Sequence, residues 1–200
     1  NGITRALVDS GVFSGVDVTV PSMVLEGGAI ETDGERTLLA TRSSVITESR
    51  NPGLGVDAVE ARLKETLGFD RFLWLNHGTV SGDDTDGHID TLVRFADPQT
   101  LLHVTAPKGH PDHNALDAMV DELKALRQRD GLPYRLIPLP CPGELVDDSG
   151  RLLPATYANF LLTNHSVLMP AYGVTADEVA RDCLARTFPQ RRVVAIDCRA

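Results

Sequence analysis

The stretch TLLHVTAPKGHPDHNALDAMVDELKALRQRDGLPYRLIPL, residues 100–139, decides the fold. It opens on an apolar run at 100–104, short enough for a strand. A helical pattern follows from about 114 to 129, with Leu116, Met119, Val120, Leu123 and Leu126 on one face and Asn114 as the expected N-cap. Residues 134–139 read as another strand, and 88–95, just upstream, as one more. The local order is therefore β-β-α-β.

The same order recurs on both sides. Strand signals at 29–31 and 37–40 precede a helix over about 57–67, with Val59, Leu63 and Leu67 on one face and Gly68 as its stop. A strand at 71–75 closes that unit. Downstream come strands at 157–163 and 166–169, a helix at 175–187 opened by a Thr175/Glu178 capping box, and a strand at 192–196. The helices start near 57, 114 and 175, a spacing that predicts structural repeats around an axis. An ordinary mixed α/β sandwich is the alternative that element order leaves open. A helix at 3–10 stopped by Gly11, then a strand at 16–20, reads as the α-β half of a preceding unit, and 145–152 as a loop. Residues 1–200 read as one region without an internal linker, starting inside one repeat and ending after another.

The chain has 200 residues, 42% of them hydrophobic, enough to fold around a core. Its formal net charge of −9 disfavours nucleic acid and anionic membrane as partners and is compatible with a cationic substrate. The apolar runs are too short to span a bilayer. The three cysteines, Cys141, Cys183 and Cys198, form no CxxC pair, which favours a reducing cytoplasm over a disulfide scaffold.

The densest polar cluster is Gly82-Asp83-Asp84-Thr85-Asp86-Gly87-His88-Ile89-Asp90. Four aspartates repel one another unless something cationic is nearby. In an extended strand His88 and Asp90 would share a face, where a carboxylate holds positive charge and a histidine moves protons. Leu25-Glu26-Gly27-Gly28 stands at the equivalent place in the first unit, and Tyr157 and Asn159 in the third. If the units surround an axis, these positions converge. A solvated aspartate run and a plain Glu-Gly-Gly turn are the bland alternatives. A metal site drawn from His77, Asp84, Asp86, His88 and Asp90, or from His110 and His113, lacks any recognised ligand spacing. GxGxxG, P-loop and GxSxG patterns are absent, which disfavours nucleotide binding and a serine-hydrolase elbow.

Several segments together resemble the agmatine deiminase family, related to the bacterial-type peptidylarginine deiminases. They are Val20-Pro21-Ser22-Met23-Val24-Leu25-Glu26-Gly27-Gly28, Asn51-Pro52, Asp83 to Asp90, Leu153-Pro154-Ala155-Thr156-Tyr157-Ala158-Asn159-Phe160, and Phe188-Pro189 with Val193-Val194-Ala195-Ile196-Asp197. The resemblance implies an α/β pentein-type propeller of β-β-α-β units, incomplete here, with about three full units and part of a preceding one. It implies His88 as general acid/base, Glu26 as the carboxylate that orients it, and Asp90 as a grip on the guanidinium, with Asp84 toward the substrate's far amine. It further implies a small cationic guanidine substrate, agmatine, in putrescine biosynthesis, no metal and no organic cofactor. A homo-oligomer of the full-length form stays open. The family's nucleophilic cysteine is expected after the last strand, beyond Ala200, and a second guanidinium aspartate upstream of Asn1; Cys198 falls too early. A peptidylarginine deiminase-like enzyme acting on another guanidine, a non-catalytic guanidinium-binding piece and a metal-dependent hydrolase are the competing readings.

Overall fold

The computed structural model describes residues 2–199. The chain opens on α1 (Ile3–Asp9), followed by a left-handed Gly11 at φ 76°. Segment 16–20 is not a strand. Its apolar alternation mimics one, but Val16, Val18 and Val20 are exposed and no neighbouring strand supplies a ladder among the described residues.

Three units follow. The first contains β1 (Glu31–Thr32), β2 (Thr37–Thr41), a short turn α2 (Arg42–Val45), α3 (Val56–Leu67) and β3 (Arg71–Leu75). β2 runs antiparallel to β1 and parallel to β3, with Thr37 opposite Arg71 and Thr41 opposite Leu75. The parallel pairing requires a crossover, and α3 supplies it. α3 ends on Gly68 at φ 77°, a left-handed stop that a glycine adopts freely. The second unit repeats the plan with β4 (Val93–Asp97), β5 (Thr100–Val104), α4 (His113–Ala125) and β6 (Arg135–Leu139). The third does so with β7 (Leu161–Leu162), β8 (Ser166–Ala171), α5 (Ala176–Thr187) and β9 (Arg192–Asp197). Each sheet has three strands in the order first, second, third.

The boundaries depart from the expected ones in instructive places. β4 starts at Val93, not at 88, because Asp86 and Gly87 turn the chain through left-handed conformations, φ 64° and 82°, and Ile89–Thr91 form a 3-10 turn. The leading strand of the third unit shrinks to two residues, since Thr156 to Phe160 are held by hydrogen bonds that are not part of a ladder. Asp112 rather than Asn114 precedes α4, which ends at Ala125 when Leu126 becomes extended. Thr175 makes no side-chain cap. Asp177 instead accepts from the N–H groups of Tyr172, Gly173 and Val174 and from the Tyr157 hydroxyl.

β2 and β5 are buried on both faces. One core joins the second and third units and reaches Leu39, Leu73 and Leu75 of the first. A smaller one, containing Ala29, Leu38, Ala40, Val45, Val59 and Leu63, lies within the first unit. The leading segments of the units are bonded in succession. Arg94 on β4 donates from Nε to Glu31 Oε2 on β1 (2.8 Å) and from Nη1 to the carbonyls of Ala158 and Phe160 (3.0 and 2.6 Å). Thr156 Oγ1 donates to the Thr91 carbonyl, and Thr41 Oγ1 to that of Gly87. The second unit is thus bonded to both of its neighbours.

Candidate active site

Glu26 lies on extended backbone just before the 3-10 turn Gly27–Ala29, and His88 just before the 3-10 turn Ile89–Thr91. These two turns pack together. The packing brings Glu26 Oε2 to 2.9 Å from His88 Nε2, although the residues are 62 positions apart. Hydrogen bonds from His88, then from Arg50, hold the Glu26 carboxyl below the usual glutamate value. Glu26 is therefore the ionised acceptor, and Nε2–H of His88 is the donor. In the neutral ring the lone pair then sits on Nδ1.

Nδ1 and the Asp90 carboxylate both lie beside Gly28. A Cβ placed on Gly28 would come within 2.7 Å of both His88 Nδ1 and Asp90 Oδ2. The two atoms thus bracket one point, kept open because residue 28 has no side chain. They do not share a strand face, as the alternation argument expected, since 89–91 form a turn. Asp90 is half-buried. Burial pushes its carboxyl up and Asp83 adds to this, while Arg94 and His88 oppose it.

The loop carrying His88 is folded by Asp83. Its Oδ1 accepts from the N–H and hydroxyl of Thr85, and its Oδ2 accepts from the N–H of Gly87. Thr85 Oγ1 in turn accepts from the N–H of His88 (3.2 Å). Asp84 is exposed on the outside of this loop. The Asp run is therefore partly a loop-building device, partly a source of free carboxylates.

Arg50 is the residue that sequence reasoning missed. Its Nε donates to Glu26 Oε2 (2.6 Å), Nη1 to Asp86 Oδ2 (2.5 Å) and Nη2 to the Thr85 carbonyl (3.0 Å). The adjoining Asn51 carries the only local signal. Its side chain bonds the N–H and carbonyl of Val24 and the carbonyl of Val45, so it fastens the Glu26 segment to the loop after α2.

Other residues singled out from the sequence lie apart. Tyr157 is buried with its hydroxyl on Asp177, and Asn159 is exposed. His77 pairs with Glu122, and His113 bonds the Ala106 carbonyl. His103 is buried, which pushes its pKa down. Cys141 sits 3.5 Å from His110 Nε2, and Cys183 is buried in α5; burial pushes both thiols up, away from the reactive thiolate. Cys198 Sγ lies against the Ile196 carbonyl. All three thiols are free. Among the described residues no three His, Cys, Asp or Glu side chains form a metal-holding group, and no helix is long and apolar enough to cross a membrane.

Three successive β-β-α-β units, each with a three-stranded sheet, and the likeness to solved pentein structures define an α/β protein of pentein type. The chain belongs to the Porphyromonas-type peptidyl-arginine deiminase family, whose model matches residues 2–200. A Streptomyces coelicolor protein provisionally named an agmatine deiminase is 35% identical over 182 residues, covering 88% of this chain and 53% of the relative. The crystal structure of a provisionally assigned arginine deiminase from Porphyromonas gingivalis is 48% identical with a TM-score of 0.92, covering 99% of this chain and 59% of that one. A C. jejuni agmatine deiminase with substrate bound is 33% identical with a TM-score of 0.87, covering 96% and 57%. The chain thus spans little more than half the length of these relatives.

Proposed function

We propose that the protein containing this chain is an agmatine deiminase that hydrolyses the guanidinium of agmatine to N-carbamoylputrescine and ammonia, in the cytoplasm, as a step of putrescine synthesis. The observation that carries the reading is the Glu26–His88 pair with Asp90 beside the free ring nitrogen. Family membership and agmatine deiminases of similar structure support it. Asp90 grips a guanidinium nitrogen and keeps the carbon electrophilic. Asp84, exposed at the rim, is assigned the substrate's far amine.

A cysteine thiolate attacks the guanidinium carbon, and the C–N bond to the departing nitrogen breaks. His88 enters this step as an imidazolium, its Nε2–H held by Glu26, and delivers its other ring proton so that this nitrogen leaves as ammonia and the ring is left neutral. Water then adds to the amidino-thioether, His88 accepts its proton, and the thiolate is released with the ureido product. No metal or organic cofactor enters this scheme. Burial holds back the Cys141 and Cys183 thiols, and Cys198 follows β9 directly, too early for the family's nucleophile, so we assign that role to a cysteine outside this chain. Residues 1–200 are on this reading part of a five-bladed pentein domain.

The test is a ureido-product assay on agmatine. The full-length protein should turn over and the 200-residue chain alone should not. Turnover by the chain alone that Cys198→Ala abolishes would overturn the assignment of the nucleophile. A second reading, peptidyl-arginine or free arginine as substrate, is favoured by the family description and by the arginine deiminase assignment of the P. gingivalis structure. The same assay with arginine and an arginyl peptide separates the two.

A further inference from the structure

We propose that Arg50 is a positioning residue of this site: its guanidinium locks the Glu26 carboxylate against His88 and ties both to the aspartate-rich loop. This inference rests on reading Glu26 and His88 as the acid-base pair.

All three nitrogens of the guanidinium are engaged, and their partners come from two separate segments. Nε holds the same oxygen, Oε2, that His88 Nε2 uses, so Arg50 sets where that oxygen stands. Nη1 and Nη2 hold Asp86 and the Thr85 carbonyl, two and three residues before His88, where the chain turns through the left-handed Asp86. Arg50 therefore fixes the acceptor and the loop that carries the donor with one planar fork. Its side chain is 14% exposed, while Glu26 and Asp86 are 42% and 60% exposed. The cation thus lies beneath the two carboxylates and offsets their repulsion. Among the described residues the Glu26 carboxylate has no hydrogen-bond partners except His88 and Arg50. Without Arg50, Glu26 would be held only by the group it is supposed to orient. A lysine keeps the charge but cannot span three acceptors in fixed directions.

The charged groups facing Glu26 are His88 from the loop and Arg50, with Asp86 behind Arg50. The Glu26 carboxyl can be followed by carbon-13 NMR during a pH titration of the full-length protein. Arg50→Gln should raise its midpoint toward that of an ordinary glutamate. His88→Ala, which leaves Arg50 in place, should keep the midpoint below the ordinary value. An unmoved midpoint in Arg50→Gln, or a full return to the ordinary value in His88→Ala alone, would overturn the proposal. The His88→Ala arm decides the matter even if Arg50→Gln does not fold. In the full-length protein Arg50→Lys should lower kcat by roughly 10²-fold with KM little changed, the size expected when a catalytic group is misplaced. Should the unaltered full-length protein fail on every guanidine while Glu26 titrates as stated, the function reading falls and the positioning role stands. An active enzyme whose Glu26 ignores Arg50 has the opposite meaning.

Discussion

His88 and Asp90 are asked to do different work, and single substitutions should separate them. His88→Ala in the full-length enzyme should cost about 10²–10⁴-fold in turnover, the range for losing a general acid/base. Near-normal turnover would show the proton-transfer group to be elsewhere. Asp90 should act through binding, with a pH signature. Its carboxyl is pushed up by burial, so in the free protein it takes a proton at higher pH than an ordinary aspartate. A guanidinium beside it favours the ionised form, so binding expels that proton. Affinity for agmatine should weaken as pH falls through the raised value, and Asp90→Asn should bind weakly with no such dependence. Isothermal titration at several pH values would show it; a slope that persists in Asp90→Asn would assign the proton to another group. The Glu26–His88 pairing was legible in the sequence because each residue stands at the head of its unit. Arg50 was not, because nothing near residue 50 announces partners at 26, 85 and 86. Such a bridge exists only after the units have packed.

At the scale of elements, the helices and the strands that flank them were readable because each unit carries a helical stripe between two apolar runs. The leading segments were not, because their shape is set by side chains bonding backbone. Asp83 bends the loop before His88, and Thr156 and Asp177 organise the start of the third unit. Periodicity counts apolar positions and does not register such bonds. Asp177 offers a measurable case. Burial works against its ionisation, yet the Tyr157 hydroxyl and the N–H groups of Tyr172, Gly173 and Val174 hold its carboxyl below the usual value. Asp177→Ala frees those donors at the start of α5 and leaves the Tyr157 hydroxyl without its acceptor. A loss of about 0.5–2 kcal/mol is expected from the range for helix caps. The sign with pH follows from the lowered carboxyl: the contribution is present above the unfolded value and disappears as pH falls through the folded one. Urea denaturation of both chains at neutral and acid pH should show the difference shrinking in acid. An equal difference at both would point to lost packing instead.

At the scale of the whole molecule, the three units are joined where Arg94 reaches from the second into the first and third. Its guanidinium meets Glu31, the carbonyls of Ala158 and Phe160, and the Phe160 ring at 4.6 Å. Glu31 also accepts from the Phe95 N–H. Burial pushes the Glu31 carboxyl up, and this outweighs the opposing pull of Arg94. The pair is therefore a joint made at a desolvation cost, and removing one side should hurt more than the pair contributes. Arg94→Leu strands the Glu31 carboxylate and two carbonyls, with an expected loss of roughly 3–5 kcal/mol at neutral pH. A carboxyl whose folded value is raised gives stability that is full below the unfolded value and is lost as pH rises through the folded one. Without Arg94 that value rises further, so the variant should recover part of its deficit in mild acid, where Glu31 takes up a proton. Glu31→Gln combined with Arg94→Leu should recover part of it at neutral pH as well. Denaturation midpoints of the two single variants, the double and the unaltered chain across pH test this directly. A deficit for Arg94→Leu that is the same at every pH and in the double variant would mean that the carbonyl bonds and ring contact, not the carboxylate, hold the units together.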